Sequence, residues 1–177
     1  ERLWQRADKE GLARLVFVNM LDRERADFSR ALESLQNAFG NHVVATEIPI
    51  GSEHNVTGVI DLIDMKAFVA HGEGQGAAAE EEIPEELRER AEEYREKLMD
   101  EVAENSDELM ERYLEGEEIS HDEIVTALKK GVTEGHLFPV TCGIATKNLG
   151  SDRLLEALLE DLPSPAMRGA IHALGAE

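Results

Sequence analysis

The chain has 177 residues, of which 42% are hydrophobic, and a formal net charge of −20. That length can bury one good core, with at most a small satellite domain. The charge argues against nucleic-acid binding by this chain, because neutralising phosphates requires clustered lysine and arginine. Its single cysteine excludes an internal disulfide and indicates a cytoplasmic setting. No apolar run approaches the ~20 residues of a membrane span, and the start at Glu1 suggests a piece excised from a longer protein.

The first predicted elements are the end of a helix and a short strand. Trp4 and Ala7 lie in the last turns of the helix, which Gly11 ends. Leu15–Val18 is a short, continuous apolar run, which is typical of a strand buried on both faces of a parallel sheet.

Polar side chains begin directly after this strand, at Asn19 and Asp22. Ligands of open α/β sheets bind at the carboxyl ends of strands, so these residues stand where a ligand-binding pair would stand. An aspartate carboxylate can accept two hydrogen bonds side by side, which suits the N1–H and 2-amino donors of guanine. An asparagine amide can brace the loop or meet a base acceptor. The alternative is that both residues only cap a turn and the next helix.

A helix and a small antiparallel sheet are predicted next. Ala26–Phe39 has apolar residues at helical spacing. Val43–Ile50 is predicted as one strand, at a sheet edge because it contains Pro49. Val56–Ile63 and Lys66–Ala70 are predicted to pair as a hairpin.

Residues 72–79 are predicted to be a low-complexity linker. They match the dinucleotide fingerprint G-x-G-x-x-A, but no buried parallel strand precedes them. The glutamates that follow would also repel a pyrophosphate. We therefore expect no nucleotide binding there.

Glu85–Glu104 gives the strongest helical pattern, with Pro84 at its start. One face of this helix is acidic and carries Glu85, Glu89, Glu92, Glu93 and Glu96. Most such charge runs are solvated helix surfaces, and the functional alternative is a docking face for a basic partner.

The last third of the chain is predicted to contain three helices and a strand. Capping-box spacings at Asn105–Glu108 and Ser120–Glu123 begin two helices, which run to about residues 114 and 131. Leu137–Thr141 is predicted to return the chain to the main sheet, and Gly143–Ala145 follow its carboxyl end. A leucine stripe at Leu154–Leu159 predicts the final helix.

Val18–Phe28 resembles the guanine-specificity loop, Asn-Lys-x-Asp, of translational GTPases of the elongation factor G family. Further matches follow in the family's order, at Pro49–Gly51, Thr57–Leu62, Asp107–Leu114, Val140–Gly143 and Leu162–Pro165. The resemblance covers nearly the whole chain. It implies an α/β fold: part of a P-loop-GTPase-type, mostly parallel sheet with helices, plus an inserted α+β subdomain.

The resemblance also divides the chain into four segments. Residues 1–41 would carry the guanine-specificity loop, and residues 42–135 would form the inserted acidic subdomain. Residues 136–165 would supply the last strand and helix of the GTPase domain. Residues 166–177 would be a linker towards a next domain.

The resemblance assigns guanine binding to Asn19, Met20, Asp22 and the loop Gly143-Ile144-Ala145, whose backbone N–H groups would meet the guanine O6. Small residues suit such a loop because the backbone must approach the base closely. Met20 replaces the family's lysine, whose stem covers the base and whose ammonium holds the phosphate loop. Ile144 stands where the family usually has serine. We therefore expect weaker nucleotide binding in the parent protein.

The chain has no G-x-x-x-x-G-K-[ST] phosphate loop, no Asp-x-x-Gly switch followed by histidine, and six histidines without metal-ligand spacing. We expect no catalytic or metal-binding residues and no cofactor for this chain alone. The parent would bind GTP or GDP, and Mg²⁺ would come with the phosphate loop. By the resemblance, the parent's partner is the ribosome, and the acidic helix contacts the basic ribosomal stalk protein. The alternative is a non-enzymatic acidic α/β interaction module.

Overall fold

The structure is a computed structural model that describes residues 1–70 and 78–168. The helices in this part of the chain are α1 (Arg2–Lys9), α2 (Phe28–Phe39), α3 (Glu85–Ala103), α4 (Asp107–Leu114), α5 (His121–Glu134) and α6 (Ser151–Glu160). The strands are β1 (Val16–Val18), β2 (Val43–Ala45), β3 (Glu47–Ile50), β4 (Gly58–Asp61), β5 (Lys66–Val69), β6 (Ala79–Glu81) and β7 (Phe138–Cys142).

These strands form two sheets, one parallel and one antiparallel. The parallel sheet has the order β1-β7-β2, and the antiparallel sheet has the order β3-β4-β5-β6. The predicted α/β class is therefore confirmed. The central strand β7 is buried along its whole length, but β1 is only half-buried. The prediction that β1 is buried on both faces is wrong, because each of its three residues is only half-buried.

The chain passes from one sheet to the other at Thr46. The backbone N–H of Thr46 donates to the carbonyl oxygen of Val140 at 3.0 Å, which ends the pairing of β2 with β7. The carbonyl oxygen of Thr46 accepts from the N–H of Leu62 at 3.0 Å, in the antiparallel sheet. The single strand predicted over residues 43–50 is therefore two strands. Pro49 does lie on an edge strand, as predicted.

The predicted hairpin forms from β4 and β5, and its turn contains Met65 in the left-handed conformation (φ 54°). Ala79–Glu81 extends this sheet as β6, although the sequence placed Ala79 in a linker and gave no strand signal for the glutamates after it. The G-x-G-x-x-A match at residues 72–77 lies outside the described residues.

Three of the predicted helices differ from the structure only at their ends or caps. α3 begins after Pro84 as predicted. Ser106, not Asn105, caps α4, because the Asn105 side chain instead donates to the carbonyl oxygen of Glu101 at 2.8 Å. The capping box of α5 is present as predicted, but the helix continues to a left-handed Gly135 (φ 77°).

One hydrophobic core joins the two sheets. β3 packs against β7, and α3 packs against β2, so the antiparallel sheet is attached directly to the parallel one. The fully buried side chains come from both sheets and from the helices between them, and include Ile48, Ile60, Leu98, Leu128 and Val140. This shared core holds the ends of the parallel strands in fixed positions.

Candidate functional site

Two loops meet at the carboxyl edge of the parallel sheet. Val18 is paired with Cys142 in the register of β1 and β7, so both strands end at the same level. Asn19 begins the loop after β1, and Gly143 begins the loop after β7. The residues predicted to bind guanine therefore lie side by side, although more than 120 positions separate them in the chain.

Asn19 joins the two loops. Its Oδ1 accepts hydrogen bonds from the N–H of Met20 at 2.8 Å and from the N–H of Ala145 at 3.0 Å. Because two donors fix the position of Oδ1, the Nδ2 group must point away from them, and the residue is exposed. Asn19 thus braces the loops and still offers two N–H donors to a ligand.

Asp22 faces the other loop through Lys147. The Oδ2 atom of Asp22 lies 3.5 Å from the Nζ of Lys147, and the Asp22 side chain is 18% exposed. A pair of this length with a half-exposed lysine is weak, so donors of a ligand can replace it. The sequence interpretation missed Lys147. Its place two residues after Ala145, in the same loop, was the available signal.

Met20 adopts the left-handed conformation (φ 61°), which is uncommon for a residue other than glycine. Such a conformation costs on the order of 1 kcal/mol and persists where the surroundings impose it. The hydrogen bond from its N–H to Asn19 is one such constraint. The Met20 side chain is 52% exposed, so it leaves an uncharged surface where the family has lysine.

The three backbone N–H groups predicted to face a guanine O6 all donate within the protein. The N–H of Gly143 donates to the carbonyl oxygen of Val18 at 3.1 Å, and that of Ile144 to the carbonyl oxygen of Leu149 at 2.9 Å. Both acceptors belong to fixed backbone. The N–H of Ala145 is held instead by the exposed side chain of Asn19, which makes it the one candidate donor among the three.

Ile144 and Gly143 have structural roles in this loop. Ile144 is fully buried, which explains why an apolar residue is accommodated in place of serine. A Cβ on Gly143 would lie 2.3 Å from the carbonyl oxygen of Leu149, so the close approach of backbone requires glycine. Cys142 before it is also fully buried, and burial raises the pKa of its thiol well above the ordinary value. It packs as a small hydrophobic residue.

The acidic face of α3 is formed as predicted, and all five of its glutamates are exposed. Glu85 pairs with Arg88 at 3.3 Å, and Glu93 pairs with Lys97 at 2.6 Å. Glu89, Glu92 and Glu96 form no ion pair within residues 1–70 and 78–168. Their charges are therefore available to a partner.

Other kinds of site are not formed by the described part of the chain. It contains no group of three or more histidine, cysteine, aspartate or glutamate side chains placed to hold a metal ion. None of its helices is both long and apolar enough to cross a membrane.

The parallel sheet carries an Asn-x-x-Asp loop after β1, and Asn19 of this loop is hydrogen-bonded to the loop after the neighbouring strand β7. This arrangement is that of a GTPase-type domain fold. The chain belongs to the family of the elongation factor Tu GTP binding domain, whose family model matches residues 1–164. It is also similar to a protein from Thermus thermophilus with a known crystal structure, at 34% sequence identity and a TM-score of 0.83. The match covers 94% of this chain and 24% of that protein, so this chain spans about a quarter of its length.

Proposed function

We propose that this chain is part of the GTPase domain of an elongation factor G-like translational GTPase, to which it contributes guanine recognition. The observation that carries the proposal is the hydrogen bond between Asn19 Oδ1 and the N–H of Ala145. It joins the two loops that would hold the base. The parent protein would bind GTP or GDP, and its phosphate loop, which this chain lacks, would hold the phosphates and Mg²⁺.

The polar groups of the site complement guanine better than adenine. The Asp22 carboxylate can accept from the N1–H and 2-amino groups of guanine, whereas adenine presents an unprotonated N1 there. The Nδ2 group of Asn19 can donate to a ring nitrogen, and the N–H of Ala145 can exchange its bond with Asn19 for one with O6. A mismatched base would leave a polar group unpaired, at a cost of about 1–3 kcal/mol.

The replacement of Met20 by lysine tests the guanine-recognition proposal. Calorimetry on the complete protein should show that the wild type binds GDP in preference to ADP, and that Met20→Lys tightens GDP binding about tenfold. The added ammonium would interact with the phosphate loop, while the aliphatic stem still covers the base. Asp22→Ala is the matched control and should lose the preference for GDP. If neither the wild type nor Met20→Lys binds GDP, Asn19 and Asp22 are structural residues and the proposal fails.

We also propose that the acidic face of α3 docks a basic partner, which in a translational GTPase would be the ribosomal stalk protein. As a translational GTPase, the parent protein would have the ribosome as its partner and the cytoplasm as its location. The charges of Glu89, Glu92 and Glu96 support this docking, because they are exposed on one face of α3 and can meet a basic surface without first breaking an ion pair. Charges at the rim of an interface chiefly raise the rate of association.

Reversing two of the unpaired charges tests the docking proposal. Glu89→Lys with Glu92→Lys should slow ribosome-stimulated GTP hydrolysis by the complete protein several-fold, most strongly at low salt. Glu108→Lys with Glu111→Lys, on the exposed surface of α4, makes the same change of net charge and should have a smaller effect. Equal rates for the two double variants would refute a docking role for α3.

A non-enzymatic acidic interaction module is the second candidate function. The same unpaired glutamates support it, together with the uncharged Met20 in the guanine-specificity loop. It becomes the better account if the complete protein shows no preference for GDP while the α3 double variant still loses a partner.

A further inference from the structure

A buried carboxyl group lies directly behind Gly143–Ala145, which we call the 143–145 loop. Glu47, at the start of β3, is only 3% exposed. Burying a carboxyl group is costly unless hydrogen bonds or an opposite charge compensate for it. Glu47 therefore needs specific partners, and these partners connect it to the loop.

Glu47 replaces a missing backbone acceptor at the end of β7. In a continued parallel ladder, the N–H of Cys142 would donate to the carbonyl oxygen of Thr46. That oxygen instead accepts from Leu62, because the chain has already moved to the antiparallel sheet. The Oε2 atom of Glu47 accepts from the N–H of Cys142 at 3.2 Å in its place. Cys142 is the residue immediately before the 143–145 loop.

The Glu47 carboxyl group also lies beside Arg153 of α6. The Nε of Arg153 lies 4.0 Å from Oε1 of Glu47, and its terminal nitrogens form ion pairs with Asp61 of β4 and with Glu156. Its guanidinium also stacks 4.0 Å from the centre of the Phe68 ring on β5. Residues of three elements, α6, β4 and β5, thus surround the group that receives the Cys142 hydrogen bond.

The structure assigns to Glu47 the role of a positioning residue for guanine recognition. By holding the last amide of β7, Glu47 fixes where Ala145 presents its N–H, and Arg153 ties this position to the antiparallel sheet. This inference rests on the proposed guanine-recognition function. It adds that the inserted sheet helps to set the geometry of the base site.

Replacements of Glu47 that differ only in reach and acceptor capacity test this role in the complete protein. Glu47→Gln keeps an oxygen at the position of Oε2 and should retain the preference for GDP over ADP within about twofold. Glu47→Ala removes the acceptor, and Glu47→Asp shortens it by one methylene. Both should lower the GDP-to-ADP preference about tenfold, and Glu47→Asp covers the case in which the alanine variant does not fold.

A destabilising change elsewhere separates positioning from a general loss of stability. Leu128→Ala opens a cavity in the core at α5, a helix that contributes no residue to either loop, and should lower the melting temperature while leaving the GDP-to-ADP preference unchanged. If Glu47→Asp keeps the wild-type preference, or if Leu128→Ala loses it to the same extent, the positioning role is overturned. If the wild type itself does not prefer GDP, the proposed function fails first, which is a different result.

Discussion

Replacing Gly143 with alanine is expected to lower the free energy of unfolding by about 3 kcal/mol. The added Cβ would lie 2.3 Å from the carbonyl oxygen of Leu149 and 3.0 Å from a ring carbon of Phe17. The first of these atoms is backbone, held by the bridge between Ile144 and Leu149, so it cannot rotate away. Relief requires the 143–145 loop and the Leu149 backbone to move apart, and we expect GDP affinity to fall with this movement.

Urea unfolding of the wild type and of Gly143→Ala measures this effect. Gly116→Ala is the matched control, because Gly116 has a left-handed conformation (φ 74°) but nothing within 4 Å of its Cβ position. It should cost only about 1 kcal/mol, from the backbone conformation alone. If Gly143→Ala costs no more than Gly116→Ala, the loop adjusts freely and is not the rigid support that guanine recognition needs.

The elements that the sequence predicted correctly are those with local signals. The capping box at Ser120 and Glu123 lies within four residues, and the β4–β5 hairpin lies within twelve. The position of Asn19 and Asp22 after a strand also follows from a short pattern. Such patterns predict the structure correctly because the interactions they encode form between residues that are close in the chain.

The features that the sequence did not reveal depend on partners far away in the chain. The pattern at residues 43–50 predicts one strand, yet the chain divides at Thr46, because the Thr46 N–H bonds to Val140 and its carbonyl oxygen to Leu62. No local period encodes that division. Likewise, Glu47 in an apolar strand was the only sign of the contact with Cys142, 95 positions later. The geometry behind the 143–145 loop therefore depends on tertiary contacts, which a local sequence pattern does not encode.

The free energy of unfolding is expected to fall as the pH rises from about 5 to 8, and Glu47 should supply much of the fall. Burial raises the pKa of Glu47 from 4.5 to about 8, and burial likewise raises the pKa of Asp161 to about 7. Between the unfolded and folded pKa values of Glu47, the unfolded chain has lost the proton that the folded chain keeps. A rise in pH within this window therefore favours the unfolded state. Over the whole window, Glu47 lowers the free energy of unfolding by roughly 3–5 kcal/mol.

Glu47→Gln isolates this contribution, because its amide oxygen still accepts from Cys142 but does not titrate. Urea unfolding between pH 5 and pH 8 should show the free energy of unfolding of the variant rising steadily relative to that of the wild type. The difference should be largest at pH 8. Asp161 is present in both proteins, so its own titration largely cancels in this difference. Glu93→Gln should shift the curve in parallel, because the hydrogen bond from Lys97 lowers the pKa of Glu93 and keeps it ionised in this window. Parallel curves for Glu47→Gln would mean that water reaches Glu47, and that its carboxyl group is not buried between the two sheets.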